Sequence, residues 1–380
     1  MTKLRYLILP IVTTLLIGVL NTRLGTLPPL GKFLDPFHGY LALVGSDDLN
    51  RLQMDISQLE APVTVIFDSL RIPHIFAEND HDLYFVQGYI MASERLWQME
   101  FQTHAAGGRL SEIVGEKALG YDRFQRRVGM KFGAENSLNA IMKDQLLSPM
   151  ANAFTKGIST YITSLPNNQF PLEYKILDYA PEPWTPLKTS LLLKYMAWML
   201  TGRNTELTYT RMWNEMGQDV VEELFPIYPW FVDPIIPPGT KYDFEPLPLD
   251  QPPNLYQSKA DRGNIITQEH EGIGSNNWVV SGSRTNSGNA ILANDPHLGL
   301  NLPSIWYAMH LVSPNQNVMG VSLPGAPGII TGFNDHISWG VTNGYDDVMD
   351  WYDIQFKDST MTEYFHDNKW KPTRKVVEKF

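Results

Sequence analysis

The pattern of apolar and polar positions changes character several times along the chain. Residues 6–20 (YLILPIVTTLLIGVL) form a 15-residue apolar stretch behind Lys3 and Arg5. A basic flank before an apolar run is the mark of a secretory signal or an uncleaved signal anchor. The run is short of the ~20 residues that span a bilayer, and Asn21-Thr22-Arg23-Leu24-Gly25 offers no Ala-x-Ala cleavage pattern. Residues 1–26 are therefore expected to direct export, as a signal peptide or as a membrane anchor that leaves the rest outside the cytoplasm, in the periplasm or on the membrane. Over 62–77, β-branched and aromatic residues surround a polar Asp68-Ser69 break, which predicts two strands. Over 80–106, Leu83, Val86, Ile90, Trp97 and Phe101 recur near helical spacing, with Asp80 the expected N-cap and Gly107-Gly108 the stop. Residues 130–225 read as mostly helical, including 187–200 and 206–216.

The pattern then breaks. Seven prolines between Pro226 and Pro248, Pro252-Pro253 and a polar tract over 257–274 predict a linker or exposed spacer. Beyond it the chain turns β-rich. Segments 278–281 and 290–294 flank Thr285-Asn286-Ser287-Gly288-Asn289, a hairpin signal. Further strands are expected over 305–312, 318–322, 329–333 and 337–342. The organisation predicted is thus an N-terminal signal or anchor (1–26), a helix-rich segment (27–250), a spacer (251–274) and a β-rich segment (275–380). The last twelve residues, 369–380, carry charges and a proline but no turn that closes a domain. The chain is expected to stop inside a larger protein.

Composition narrows the function. Of 380 residues, 41 are acidic and 30 basic, a net charge of −11. That balance argues against nucleic acid as a partner, because phosphate neutralisation needs clustered Lys and Arg. Cysteine is absent, which removes disulfides, thiolate nucleophiles and Cys-based metal sites and leaves the redox compartment open. No Gly-x-Ser-x-Gly elbow, Ser-x-x-Lys, His-Glu-x-x-His or phosphate-binding loop is present.

The stretch that stands out is Gly272-Ile273-Gly274-Ser275-Asn276-Asn277-Trp278, where the spacer meets the first strand of the β-rich half. If the Gly274–Ser275 bond is cut, Ser275 carries a nucleophilic hydroxyl and a free α-amine on one residue. An α-amine has a pKa of about 7.7–8.0, so a good part of it is a neutral base near neutral pH. It can take the proton of its own hydroxyl without a histidine. The plain alternative is a glycine-rich turn entering a strand. A second feature is Asp346-Asp347-Val348-Met349-Asp350, which gathers oxygen ligands on a short loop as a hard cation requires; a solvated acidic turn is its alternative.

A resemblance weighs on both. Ser275-Asn276-Asn277-Trp278-Val279-Val280, Asn294-Asp295-Pro296-His297-Leu298, Leu323-Pro324-Gly325, Gly332-Phe333-Asn334-Asp335 and Ser338-Trp339-Gly340 resemble the penicillin acylase family. In the first half Arg71-Ile72-Pro73-His74-Ile75, Gln87-Gly88-Tyr89, Glu94-Arg95-Leu96-Trp97-Gln98-Met99 and Gly108-Arg109-Leu110 match in the same order. The resemblance runs over about residues 60–355. It implies an α+β, four-layer αββα N-terminal-nucleophile hydrolase fold, made as a precursor and cut between Gly274 and Ser275 into two segments. It implies Ser275 as nucleophile, His297 beside the nucleophile and substrate amide, and the Asn343 backbone N–H as an oxyanion donor. Calcium is implied on Asp347, the Met349 carbonyl and Asp350, completed by Glu206, and Leu298 and Thr331 fall where the acyl pocket is lined. The family's second oxyanion donor, an asparagine side chain, would lie beyond residue 380. The activity implied is hydrolysis of a small N-acyl amide, of the penicillin or N-acyl-homoserine lactone kind. A non-catalytic homologue that binds acylated ligands and a membrane-anchored binding module are the competing expectations.

Overall fold

The computed structural model describes residues 2–23, 25, 28–35, 39, 53–201, 205–225, 239–241, 274–344 and 351–380. Helices run over Thr2–Leu20 (α1), Asp80–Gly107 (α2), Leu119–Arg127 (α3), Met130–Ile141 (α4), Leu147–Ser164 (α5), Pro186–Thr201 (α6), Thr205–Met216 (α7) and Gln218–Leu224 (α8). Strands are Thr64–Phe67 (β1), Pro73–Phe76 (β2), Gly274–Val280 (β3), Ile291–His297 (β4), Tyr307–Ser313 (β5), Gln316–Ser322 (β6), Thr331–Asn334 (β7), Ser338–Trp339 (β8), Glu363–His366 (β9) and Lys369–Pro372 (β10). The class is α+β. The chain divides into two compact units, 1–198 with 272–344 and 378–380, and 199–271 with 345–377.

The first unit is built on a six-stranded sheet in the order β1-β2-β5-β6-β7-β8. The two strands expected over 62–77 form an antiparallel pair, and β2 then pairs parallel with β5, His74 opposite His310. Strands more than 200 positions apart therefore share one sheet. Strict alternation makes this possible: Tyr307, Met309, Leu311 and Ser313 are buried on one face of β5 while the residues between them are not. That face, with Ile75, packs on Leu83, Val86, Met91 and Met99 of α2, and α5 adds Phe154 and Ile158 to the same core.

Two glycines let α2 and α5 approach. A methyl added at Gly88 would lie 2.3 Å from the Phe154 carbonyl oxygen, and one at Gly157 only 1.8 Å from that of Phe85. The helix start differs from the sequence expectation. The cap is Asn79, whose backbone is extended (φ −152°, ψ 162°) and whose Oδ1 accepts the Asp82 N–H. Asp80 holds the β5–β6 turn instead, accepting from Ser313 Oγ at 2.5 Å, Asn315 Nδ2 at 3.0 Å and Gln316 Nε2 at 3.2 Å. The stop is as expected, with Gly108 left-handed at φ 63°.

α1 contains Pro10, and its apolar side chains from Ile8 to Val19 are 52% to 72% exposed, so it is no core helix. No helix among the described residues is long and apolar enough to cross a membrane. The hairpin expected around 285–289 is β3–β4. The strand expected over 337–342 is cut to Ser338–Trp339; the chain leaves the sheet at Gly340, where a methyl would lie 2.8 Å from Asn294 Cβ.

The second unit contains α7, α8 and an antiparallel β9–β10 hairpin. Lys369–Pro372 forms the second strand of that hairpin. Asp367 and Asn368, both left-handed (φ 53° and 56°), make the tight turn before it. Most of the proline-rich stretch and residues 251–273 of the spacer lie outside the described residues.

Candidate active site

Gly274 and Ser275 open β3, and the register sets Gly274 opposite His297 and Ser275 opposite Pro296. The Ser275 hydroxyl donates to the Gly274 carbonyl oxygen at 2.6 Å. Both residues are half-buried. The His297 ring stands beside the same peptide: a methyl on Gly274 would lie 4.0 Å from its Nδ1. Its Nε2 faces Asp295 Oδ2 at 2.9 Å. Leu298, half-buried one position past β4, donates its N–H to the Pro296 carbonyl at 3.0 Å.

The rest of the site hangs on Asn294, one turn of the pleat up β4. Its Nδ2 donates to the Val341 carbonyl at 2.9 Å and to that of Asn276 at 3.4 Å. Its Oδ1 accepts the Val341 N–H at 3.2 Å and lies 2.9 Å from Thr331 Oγ1. Thr331 Oγ1 is equally close to the Trp339 carbonyl, and its single proton serves one acceptor at a time. One amide side chain therefore ties the nucleophile's hairpin to β7 and to the segment that carries Asn343 two residues later. Thr331 reaches the site through this bond. The sequence reading quoted Asn294 within its motif but gave it no role; its only signal was an asparagine inside a strand, where it is rarely favoured.

The structure thus gathers Gly274, Ser275, His297 and Leu298 on one hairpin and links Thr331 and Asn343 to it. The calcium set is not gathered in view. Glu206 sits in the first turn of α7, and Asp347, Met349 and Asp350 fall outside the described residues.

Among the described residues one other group brings three ligand-type atoms within 4.8 Å of one another: Glu100, His104 and Glu182. Cations already occupy it. Lys188 Nζ lies 3.5 Å from Glu100 and 3.1 Å from Glu182, and Arg109 forks onto Glu182 at 3.1 and 2.6 Å. Hydrogen bonds from Arg109, against the opposing effect of burial and with help from Lys188, lower the Glu182 carboxyl to about 2. This is an ion-pair network that holds the 178–186 loop to α2, with both carboxylates already engaged by cations.

Comparisons with known proteins agree with the motif order. The chain matches the penicillin amidase family over residues 62–380. It is 32% identical over 330 residues to an acyl-homoserine lactone acylase of Pseudomonas aeruginosa, covering 86% of this chain and 38% of that protein. It is 30% identical over 329 residues to the penicillin acylase 2 proenzyme of a Pseudomonas species, covering 84% and 41%. Among solved structures a thermostable penicillin G acylase from Alcaligenes faecalis aligns with 23% identity and a TM-score of 0.40, over 48% of this chain and 97% of that one. The chain spans about two fifths of the length of the curated relatives it matches. With a family match over most of its length and a relative above 30% identity, the chain belongs to the penicillin amidase family.

Proposed function

We propose that this chain supplies the nucleophile half of an amidase that hydrolyses small N-acyl amides through an acyl-enzyme on Ser275. The observation that carries the reading is the Ser275 hydroxyl set against the carbonyl of the preceding residue at 2.6 Å. Attack of Oγ on the Gly274 carbonyl carbon, with transfer of the acyl group from nitrogen to oxygen and hydrolysis of the ester, releases a new N-terminus at Ser275. The freed α-amine then takes the hydroxyl proton as substrate is attacked, and the oxyanion is met by the backbone N–H of Asn343. The amine product leaves with that proton, and water releases the acid. His297 flanks the nucleophile from the opposite strand. Leu298 and Thr331 line the acyl side.

The substrate class follows the relatives, which are named for penicillins and acyl-homoserine lactones. The proenzyme name of one relative supports maturation into two segments. Calcium on Glu206, Asp347, the Met349 carbonyl and Asp350 is part of the same proposal, supported by the density of oxygen donors over 346–350. Export, by signal or anchor, is supported by the basic flank and the exposed apolar side chains of α1.

Intact mass and N-terminal sequencing of the full-length parent, beside turnover of an N-acyl anilide, test the mechanism. Wild type should give a fragment beginning Ser-Asn-Asn-Trp. Ser275→Ala should stay one chain and lose at least about a thousandfold in turnover. Activity in a parent that remains uncut, or in Ser275→Ala, would overturn the reading.

A further inference from the structure

Two of the quoted motifs, Gln87-Gly88-Tyr89 and Leu323-Pro324-Gly325, meet at the turn between β6 and β7. The turn contains two left-handed glycines, Gly325 (φ 98°) and Gly328 (φ 84°). Their N–H and carbonyl groups bond to side chains of the helix-rich segment. Gly325 donates its N–H to Met91 Sδ at 3.0 Å, and its carbonyl accepts from Thr189 Oγ1 at 2.9 Å. Trp184 Nε1 donates to Thr189 Oγ1 at 3.2 Å, which leaves the hydroxyl proton for Gly325. Gly328 is clasped by one amide. Gln87 Oε1 accepts its N–H at 3.0 Å, and Gln87 Nε2 donates to its carbonyl at 3.1 Å.

Gln87 is fully buried on α2. A buried amide is costly without partners, so this double bond sets both the side chain and the turn. What the clasp holds in place lies three residues on. The Ile330 N–H bonds the Val321 carbonyl at 2.9 Å and returns the chain to the sheet. Thr331 then opens β7 with its Oγ1 2.9 Å from Asn294 Oδ1 on the nucleophile's hairpin. Three residues reach about 10 Å at most. The start of β7 is therefore pinned from one side by α2 and from the other by the hairpin of Ser275, all within one compact unit. Gln87 precedes the Gly274–Ser275 bond and Gly328 follows it, so a cut there turns the clasp into a bond between two chains.

We propose that Gln87 is a positioning residue for acyl recognition: by fixing Gly328 it sets where β7 presents Thr331 and so which acyl chains the site accepts. The inference rests on the reading that Thr331 lines the acyl side. Gln87 touches no reacting atom. Ser275 and the segment of Asn343 are tied through Asn294, so loosening Gly328 frees the acyl wall and leaves the bond-breaking groups in place.

The test compares the full-length parent with its Gln87→Met variant on acetyl, octanoyl and dodecanoyl anilides. Methionine matches the side chain in length and makes neither bond. KM for the preferred anilide should rise about tenfold. With kcat held within about twofold, the spread of kcat/KM across the three chains should shrink by about fivefold. Thr189→Val, which removes the bond to Gly325 at nearly constant shape, should move both quantities the same way by less. A purely structural role lowers the amount of active enzyme, which lowers kcat alike for every chain and leaves KM and the spread unchanged; that result would overturn the proposal. If Gln87→Met does not mature, Thr189→Val is judged by the same criterion, and failure of both to mature would replace positioning by a folding role. Ser275→Ala keeps the two questions apart. Turnover in that variant sinks the acyl-enzyme reading, whereas an unchanged acyl profile in Gln87→Met beside an inactive Ser275→Ala sinks this inference alone.

Discussion

Asn294 shows how much of a site one amide can organise. It accepts and donates across the same Val341 peptide, as a strand partner would, and so stands in for a ladder that the two-residue β8 does not continue. Removing its side chain leaves the Val341 N–H and carbonyl and the Thr331 hydroxyl to find water or go unpaired. Each bond lost is worth on the order of 1 kcal/mol net. Asn294→Ala should therefore lower unfolding free energy by about 1–2 kcal/mol in a urea titration. It should also slow amide turnover by releasing the segment that holds Asn343. A variant with unchanged midpoint and rate would show that the tie does not matter. A linear reading places Asn294 in a motif but gives no role to its side chain, because its partners lie 18, 37 and 47 positions away.

Among the elements, the crossing of α2 and α5 and the network around Glu182 are the two junctions that position the sheet. At the crossing, Gly157 has no room for a methyl group, since the obstacle is the Phe85 backbone rather than a side chain that can swing away. Gly157→Ala forces the helices apart and should cost about 1–3 kcal/mol, or more if the sheet loses contact with α2; thermal or urea unfolding measures it. Gly120, in open space on α3, is the control: Gly120→Ala should be neutral or stabilising. At the network, the sign of the pH dependence follows from the lowered Glu182 carboxyl. Its folded value of about 2 lies below its ordinary 4.5. The stability it contributes is thus fully present above pH ~4.5 and drains away as pH falls toward 2. Glu182→Gln should melt below wild type near pH 6, and the gap should close as the pH is lowered through that window. A gap that stays constant down to pH 2.5 would mean the charge is not what holds the 178–186 loop. Glycines and loop acids are visible in the sequence, but which of them face a helix backbone or a pair of cations is set by packing.

For the molecule as a whole, the proposed calcium site makes the clearest prediction. A ligand that binds only the folded state stabilises it by about 2.7 kcal/mol at a hundredfold excess over its Kd. Raising free calcium from chelated to millimolar should lift the thermal midpoint, and Glu206→Gln should abolish the shift. Coincident midpoints in calcium and in chelator would remove the site. Because Glu206 and residues 345–350 belong to the same compact unit, the shift should follow that unit's transition. The amide signals of Glu363–His366 and Lys369–Pro372 report on it.

The sequence by itself determined the elements. A run rich in apolar and aromatic residues marked β5, helical spacing marked α2, and the turn residues at 285–289 marked the hairpin that begins at the nucleophile, because residue type and spacing bias local backbone geometry. It also determined the chemistry on offer at Ser275, which depends on what one residue carries once its amine is free. Tertiary structure decided the rest. It set β2 beside β5 across more than 200 residues, moved the helix cap from Asp80 to Asn79 by giving Asp80 a distant turn to hold, shortened the last strand at Gly340, and brought His74 against His310. Each of these turns on contacts between positions far apart in the chain, where register and packing choose the partner and local pattern carries no record of it.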